Sequence, residues 1–217
     1  MGDLINDLIQ AKNQKEAVFF YDQLVASGGL WSSYKVNDSY IVGSPYGETG
    51  SIGVVLTLPN FTGLADKVGY TETVIKSSNA KDIGNPLRTP STEEIDYLEQ
   101  RVTQNYDKFL EIVAKSRELE ISKVRQFANG FIYPNNEAKD LGLIDEVGDL
   151  QKAIEKTASN LELENYDVYE IEPPISPFKG VFSSNPLLQG LNKAQTNLNK
   201  PFALESSTLY AIDTNKL

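Results

Sequence analysis

The chain has 217 residues, 40% hydrophobic and 23% charged, which suits one folded domain with an appendage better than two full cores. Lysine and arginine total 20 against 30 acidic residues, and the net charge of −10 argues against a nucleic-acid surface. The absence of cysteine and histidine excludes disulfides, thiol nucleophiles, cysteine- or histidine-ligated zinc and Ser-His-Asp triads, so any hydrolase chemistry needs another base.

Residues 3–14 place Leu4, Ile5, Leu8 and Ile9 on one stripe, which predicts a short helix. The start lacks the basic and apolar stretches of a signal peptide, and no run approaches the roughly 18 apolar residues of a membrane span. AVFFY at 17–21 reads as a buried strand, followed by QLVASGGLW, where Gly28 and Gly29 permit a tight turn into a helix. SYIVG at 39–43 and GSIGVVLTL at 50–58 are further strand candidates, then a helix near 61–67 and a strand at 71–75. Strands alternating with short helices predict an α/β layer architecture.

The clearest element is a helix over 92–118. Ser91 and Glu94 form a capping-box pattern, and Ile95, Leu98, Val102, Tyr106, Phe109 and Val113 make one apolar face. That face suits packing on a sheet or on a neighbouring subunit. Shorter helices are expected from Ser122 toward Gly130 and over 136–141, a strand and turn at LIDEVG, a helix at 149–160 and an edge strand at 166–171. Composition shifts at PPISP, so residues 1–172 are expected to form the main domain and 173–217 an extension with one late strand at TLYAI. No internal repeat is apparent.

Ser27 lies between an apolar strand and a glycine-assisted helix start. There a hydroxyl can project from a sheet edge beside backbone N–H groups, although VASGG is no G-x-S-x-G elbow; the alternative is a helix cap. A lysine can act as base when desolvation favours its neutral form, and Lys35, Lys67, Lys76 and Lys81 follow the turn. Lys76 and Lys81 flank a loop after a predicted strand, where α/β folds commonly carry functional groups. In TGSIGV, Ser51 either orients a lysine or satisfies a bulged backbone. Asp145 and Glu146 are a weak metal signal, since two adjacent carboxylates more often bound a turn.

Four blocks in order bring these residues together: VASGG, TGSIGV, VIKSSNAKDIGNPLRTPSTEE and ANGFIYPNNEAKDLGLIDEVGDLQKAI. The chain resembles, over about residues 4–172, the signal peptide peptidase family of Ser-Lys dyad proteases, the group that includes protease IV. The resemblance implies Ser27 as nucleophile, Lys81 as general base, Gly28 as an oxyanion donor and Ser51 as the residue orienting the lysine. It also implies a Clp-protease/crotonase-like spiral α/β fold, no cofactor and no metal. Its expected partners are peptides, as remnants of cleaved signal peptides, and further copies of the chain in a homo-oligomer whose dyad is shared between neighbouring protomers. Family members are membrane-associated on the extracytoplasmic side.

Against the family pattern, this chain is expected to lack the upstream strand–helix section with its oxyanion loop and the anchor. Ser78 replaces a usual glycine, PNN at 134–136 a glycine-containing turn, and Leu30-Trp31 paired tyrosines, changes expected to tune the substrate groove. Two alternatives accompany the peptidase reading: a catalytically silent structural subunit, and an acyl-CoA enzyme on the related crotonase-like fold.

Overall fold

The computed structural model describes residues 17–171 and 209–213; the expected helix over 3–14 and most of the 173–217 extension lie outside them. The chain forms two units, divided between Thr157 and Ala158.

In the first unit, the aromatic run after residue 16 becomes β1 (Val18–Tyr21), followed by β2 (Leu24–Ala26) and helix α1 (Gly28–Tyr34). β3 (Tyr40–Gly43) then lies parallel to β1, with Phe20 opposite Val42, and β4 (Glu48–Gly50) lies parallel to β2, with Val25 opposite Thr49. Parallel neighbours require a crossover, and the crossover from β1 to β3 contains the Ser27 turn. Two three-stranded sheets result. β3 also pairs with β6 (Glu146–Val147) in parallel, and β4 pairs with β5 (Ile132–Pro134) in antiparallel. β5 was not anticipated, because three residues ending in a proline carry too little alternation to read as a strand.

Helix α2 (Thr62–Val68) matches the expectation near 61–67. The strands expected at 50–58 and 71–75 do not form: β4 stops at Gly50, and residues 51–61 and 70–76 belong to no helix or ladder. Gly50 and Ser51 have positive φ, 144° and 54°, which turns the chain out of the sheet. A β-prone segment beyond such a turn needs a neighbouring strand to become one, and among the described residues none pairs with it.

The long helix α3 (Thr92–Ser116) begins at the predicted capping box: the Ser91 side chain accepts from the Glu94 N–H, and Glu94 accepts from the Ser91 N–H. Only the C-terminal half of its apolar face is enclosed. Phe109, Leu110 and Val113 join Leu30, Ile41 and Leu143 in the core, whereas Ile95 is exposed. α4 (Ile121–Phe127), α5 (Asn135–Asp140) and α6 (Leu150–Asn160) follow as the sequence suggests. Arg117 closes the end of α3, donating to both oxygens of Asp145 at 2.6 and 3.1 Å and to Gly142 O at 2.7 Å. In the second unit, β7 (Asp167–Ile171) pairs antiparallel with β8 (Leu209–Asp213), the strand foreseen at TLYAI.

Candidate active site

Ser27 is held between β2 and α1 at φ 50°, ψ −111°, a conformation that residues with a Cβ rarely adopt and that surrounding bonds must enforce. Two bonds do so: the Ser27 N–H donates to Gly50 O at 2.9 Å, and Ser27 O accepts from the Trp31 N–H at 3.0 Å. Ser27 occupies the N-cap position, yet its side chain makes no capping bond. The cap alternative therefore does not account for the hydroxyl. Gly28 opens the helix, whose first N–H groups have no intrahelical acceptor. A Cβ at Gly28 would meet nothing within 4 Å, so the space beside it is open.

The opposing wall is built from close backbone approach. A Cβ on Gly50 would stand 2.5 Å from Phe131 O, and at φ 144° only glycine is at ease. The Ser51 N–H donates to Phe131 O at 2.6 Å, and the Gly130 N–H donates to Ile52 O at 3.2 Å. Ser27, Gly28 and Ser51 thereby line one cleft of about 900 Å³, together with Trp31, Ile52, Phe109 and Asn129. Trp31 meets Phe109 edge-on with ring centroids 5.2 Å apart. Tyr106, assigned to packing from sequence, also lines the cleft and fixes its wall by donating from its hydroxyl to Ala128 O at 2.6 Å.

Lys81 is placed elsewhere. It sits exposed in a 3-10 turn, Asn79–Asp82, within the arm that runs from Val54 to the start of α3, and it is not among the residues lining the Ser27 cleft. Its ammonium makes no hydrogen bond or ion pair among the described residues. Its neighbour Asp82 is heavily engaged. Arg88 donates from Nε and Nη2 to the two Asp82 oxygens at 3.0 and 2.8 Å, and from Nη1 and Nη2 to the two Glu94 oxygens at 2.7 and 2.5 Å. Lys76 Nζ reaches Asp82 at 2.6 Å and Asn79 O at 2.9 Å. Hydrogen bonds from Arg88 and then Lys76 hold Asp82 well below the usual carboxylate range, and those from Arg88 and the Ser91 backbone lower Glu94 to about 2. This network escaped sequence reading. Asp82, Arg88 and Glu94 are spaced six apart, but they run from a 3-10 turn through irregular chain to a helix start, so no single helical or strand period spans them.

Asp145 is taken by Arg117 and the Ile41 N–H, and Glu146 by Lys152 and the Tyr40 hydroxyl. Both carboxylates therefore serve the turn. Of the departures expected to tune the groove, Trp31 lines the cleft, but Leu30 is buried in the core. Asn135 is also fully buried, donating to Ser44 O at 2.9 Å from Nδ2 and to Gly47 O at 3.0 Å from its backbone. It ties loops together instead.

An α/β frame that presents a serine at a strained strand-to-helix turn beside an apolar cleft has the arrangement used by serine-dependent hydrolases. The model of peptidase family S49 matches residues 9–164, and the chain belongs to that family; its α/β fold is the Clp-protease-like one that membership implies. A Methanocaldococcus jannaschii protein bearing a protease name is 35% identical over 78% of this chain and 53% of its own length. An Enterococcus faecium protein bearing the name signal peptide peptidase SppA is 32% identical over 82% of this chain and 51% of its own. The chain thus spans about half the length of the curated relatives it matches. A ClpP1 mutant from Listeria monocytogenes overlays loosely, with TM-score 0.42 and 15% identity over 70% of this chain and 68% of that one. Among the described residues, no helix is long and apolar enough to cross a membrane.

Proposed function

We propose that this chain supplies the site of a serine endopeptidase in which Ser27 is the nucleophile and Lys81 the general base. Ser27 Oγ attacks a peptide carbonyl while the neutral Lys81 amine takes its proton; the Gly28 N–H stabilises the oxyanion. Collapse of the adduct expels the amine, which receives the proton from Lys81 and leaves an acyl ester on Ser27. Water, deprotonated by Lys81, then releases the acid. Ser51 orients the lysine amine from the same cleft wall.

The observation that carries this reading is the strained, uncapped Ser27 hydroxyl facing an apolar cleft beside the open space at Gly28. Trp31, Ile52 and Phe109 suit an apolar peptide, such as the hydrophobic stretch of a cleaved signal peptide at the extracytoplasmic face of a membrane. Because Lys81 does not line its own chain's cleft, the base is assigned to a neighbouring copy. Exposed Val55, Phe61, Leu64, Tyr70 and Ile75 favour such an assembly, in which the lysine-bearing arm is covered.

The test uses a fluorogenic leucine- and alanine-rich peptide with the wild type, Ser27→Ala, Lys81→Ala and an equimolar mixture of the two variants. Each variant alone should lose turnover by about 10⁴-fold or more. The mixture should recover about a quarter of wild-type activity if each site draws serine and lysine from different copies of a closed ring. Full activity in Ser27→Ala would overturn the nucleophile, and no recovery in the mixture would overturn the sharing. An inert wild type would favour the silent-subunit alternative.

A further inference from the structure

The 3-10 turn Asn79–Asp82 contains no buried residue. It is closed by single backbone bonds, Lys81 N–H to Ser78 O and Ile83 N–H to Ala80 O, each at 3.2 Å. A turn held this way, with no apolar anchor, opens readily unless something else secures it. Lys76 bridges its two ends, from Asn79 O at 2.9 Å to the Asp82 carboxylate at 2.6 Å, and a chain of charged groups ties Asp82 back to α3. Glu94 completes the capping box of that helix, Arg88 grips Glu94 by both oxygens, and the same guanidinium grips both oxygens of Asp82 and also its backbone carbonyl at 3.2 Å. Side-chain exposure falls from 28% at Arg88 to 13% at Asp82 and 8% at Glu94, so the carboxylate ends are largely enclosed. The planar five-donor fork of arginine can serve two carboxylates at once, whereas a lysine cannot.

The capping box needs only Ser91 and Glu94. The grip on Asp82 therefore contributes little to starting α3, and what it fixes is the residue beside Asp82. We propose that Arg88 is a positioning residue whose guanidinium, forked between Asp82 and Glu94, holds the turn bearing Lys81 in register with the rigid start of α3. This rests on the assignment of Lys81 as general base. A misplacement of about 1 Å at a reacting group can cost up to about 100-fold in rate, which is the scale on which such a clamp acts.

The test compares wild type, Arg88→Ala, Arg88→Lys, Lys81→Ala and the Arg88→Ala/Lys81→Ala double variant in the assembled protein. The readouts are kcat and KM on the fluorogenic peptide, hydrogen exchange of residues 79–85 and thermal unfolding. Arg88→Ala should lower kcat by about 10- to 100-fold with KM within about two-fold, speed exchange in the turn, and leave the double variant no worse than Lys81→Ala alone. Arg88→Lys, which keeps the charge and loses the fork, should recover part of kcat. Unchanged exchange in the turn would overturn the proposal, as would a double variant whose losses multiply or an Arg88→Ala loss matched by a collapse in thermal midpoint. If Lys81→Ala keeps full turnover while Arg88→Ala still loosens the turn, the base assignment has failed and the positioning role falls with it, with the clamp itself intact.

Discussion

Ser27 and Lys81 sit in two regions built on opposite principles. Around Ser27 the backbone is packed against backbone: β2, β4 and the Gly130–Phe131 strip approach so closely that Gly50 leaves no room for a Cβ, and Leu30, Ile41 and Ile52 are enclosed beneath. Around Lys81 almost nothing apolar is enclosed. The arm from Val54 onward leaves Val55 87% and Ile75 96% exposed, and its order comes from ion pairs and single hydrogen bonds. In the proposed reaction, a nucleophile held in a strained conformation needs a scaffold that over-determines it. A base proposed to reach another copy's serine needs a surface that remains uncovered until assembly.

The sharpest way to break that contrast is to remove volume from each region. Phe109→Ala should cost about 3–5 kcal/mol in chemical denaturation, because the ring fills the core and the cleft floor at once. Ile75→Ala in the isolated chain should cost about 0.5 kcal/mol or less. A large, concentration-dependent loss at Ile75 would instead show that the arm is already covered by a second copy.

A smaller effect probes the wall opposite Ser27. Gly50→Ala should destabilise by about 1–3 kcal/mol, since its Cβ would collide with the Phe131 carbonyl and its φ is unfavourable for alanine. Peptidase activity should fall further than stability alone explains, as Gly50 O also holds the Ser27 N–H. An unaffected protein would mean the wall is pliable.

The smallest effect concerns acid. Glu94 is lowered to about 2 in the folded chain by Arg88 and by the Ser91 backbone. A carboxylate depressed on folding stabilises the protein above its ordinary value, and that contribution is lost as pH falls toward the folded one. The gap in thermal midpoint between wild type and Glu94→Gln should therefore be full at neutral pH and close between about pH 5 and about pH 2. A gap that persists into strong acid would mean that the Arg88–Glu94 pair contributes nothing to the clamp.

Much was legible in the sequence because it depends on local pattern. The capping box at Ser91 and Glu94, the 3.6-residue stripe of α3, and the glycines around Ser27 and Ser51 each carry their conformation in neighbouring residues. The blocks around Ser27, Ser51, Lys81 and Gly130 likewise pointed to the peptidase family. The tertiary structure alone decided the rest. The 51–58 and 71–75 segments have strand-like composition, but a strand exists only where a partner offers its backbone groups, and here the chain turns away at Gly50 and Ser51. The fork of Arg88 between Asp82 and Glu94 links a turn, irregular chain and a helix start that share no periodic element, and only the folded chain reveals it. The separation of Lys81 from the Ser27 cleft is tertiary for the same reason: sequence order constrains what neighbours do, whereas distance between remote residues is set by how the chain packs.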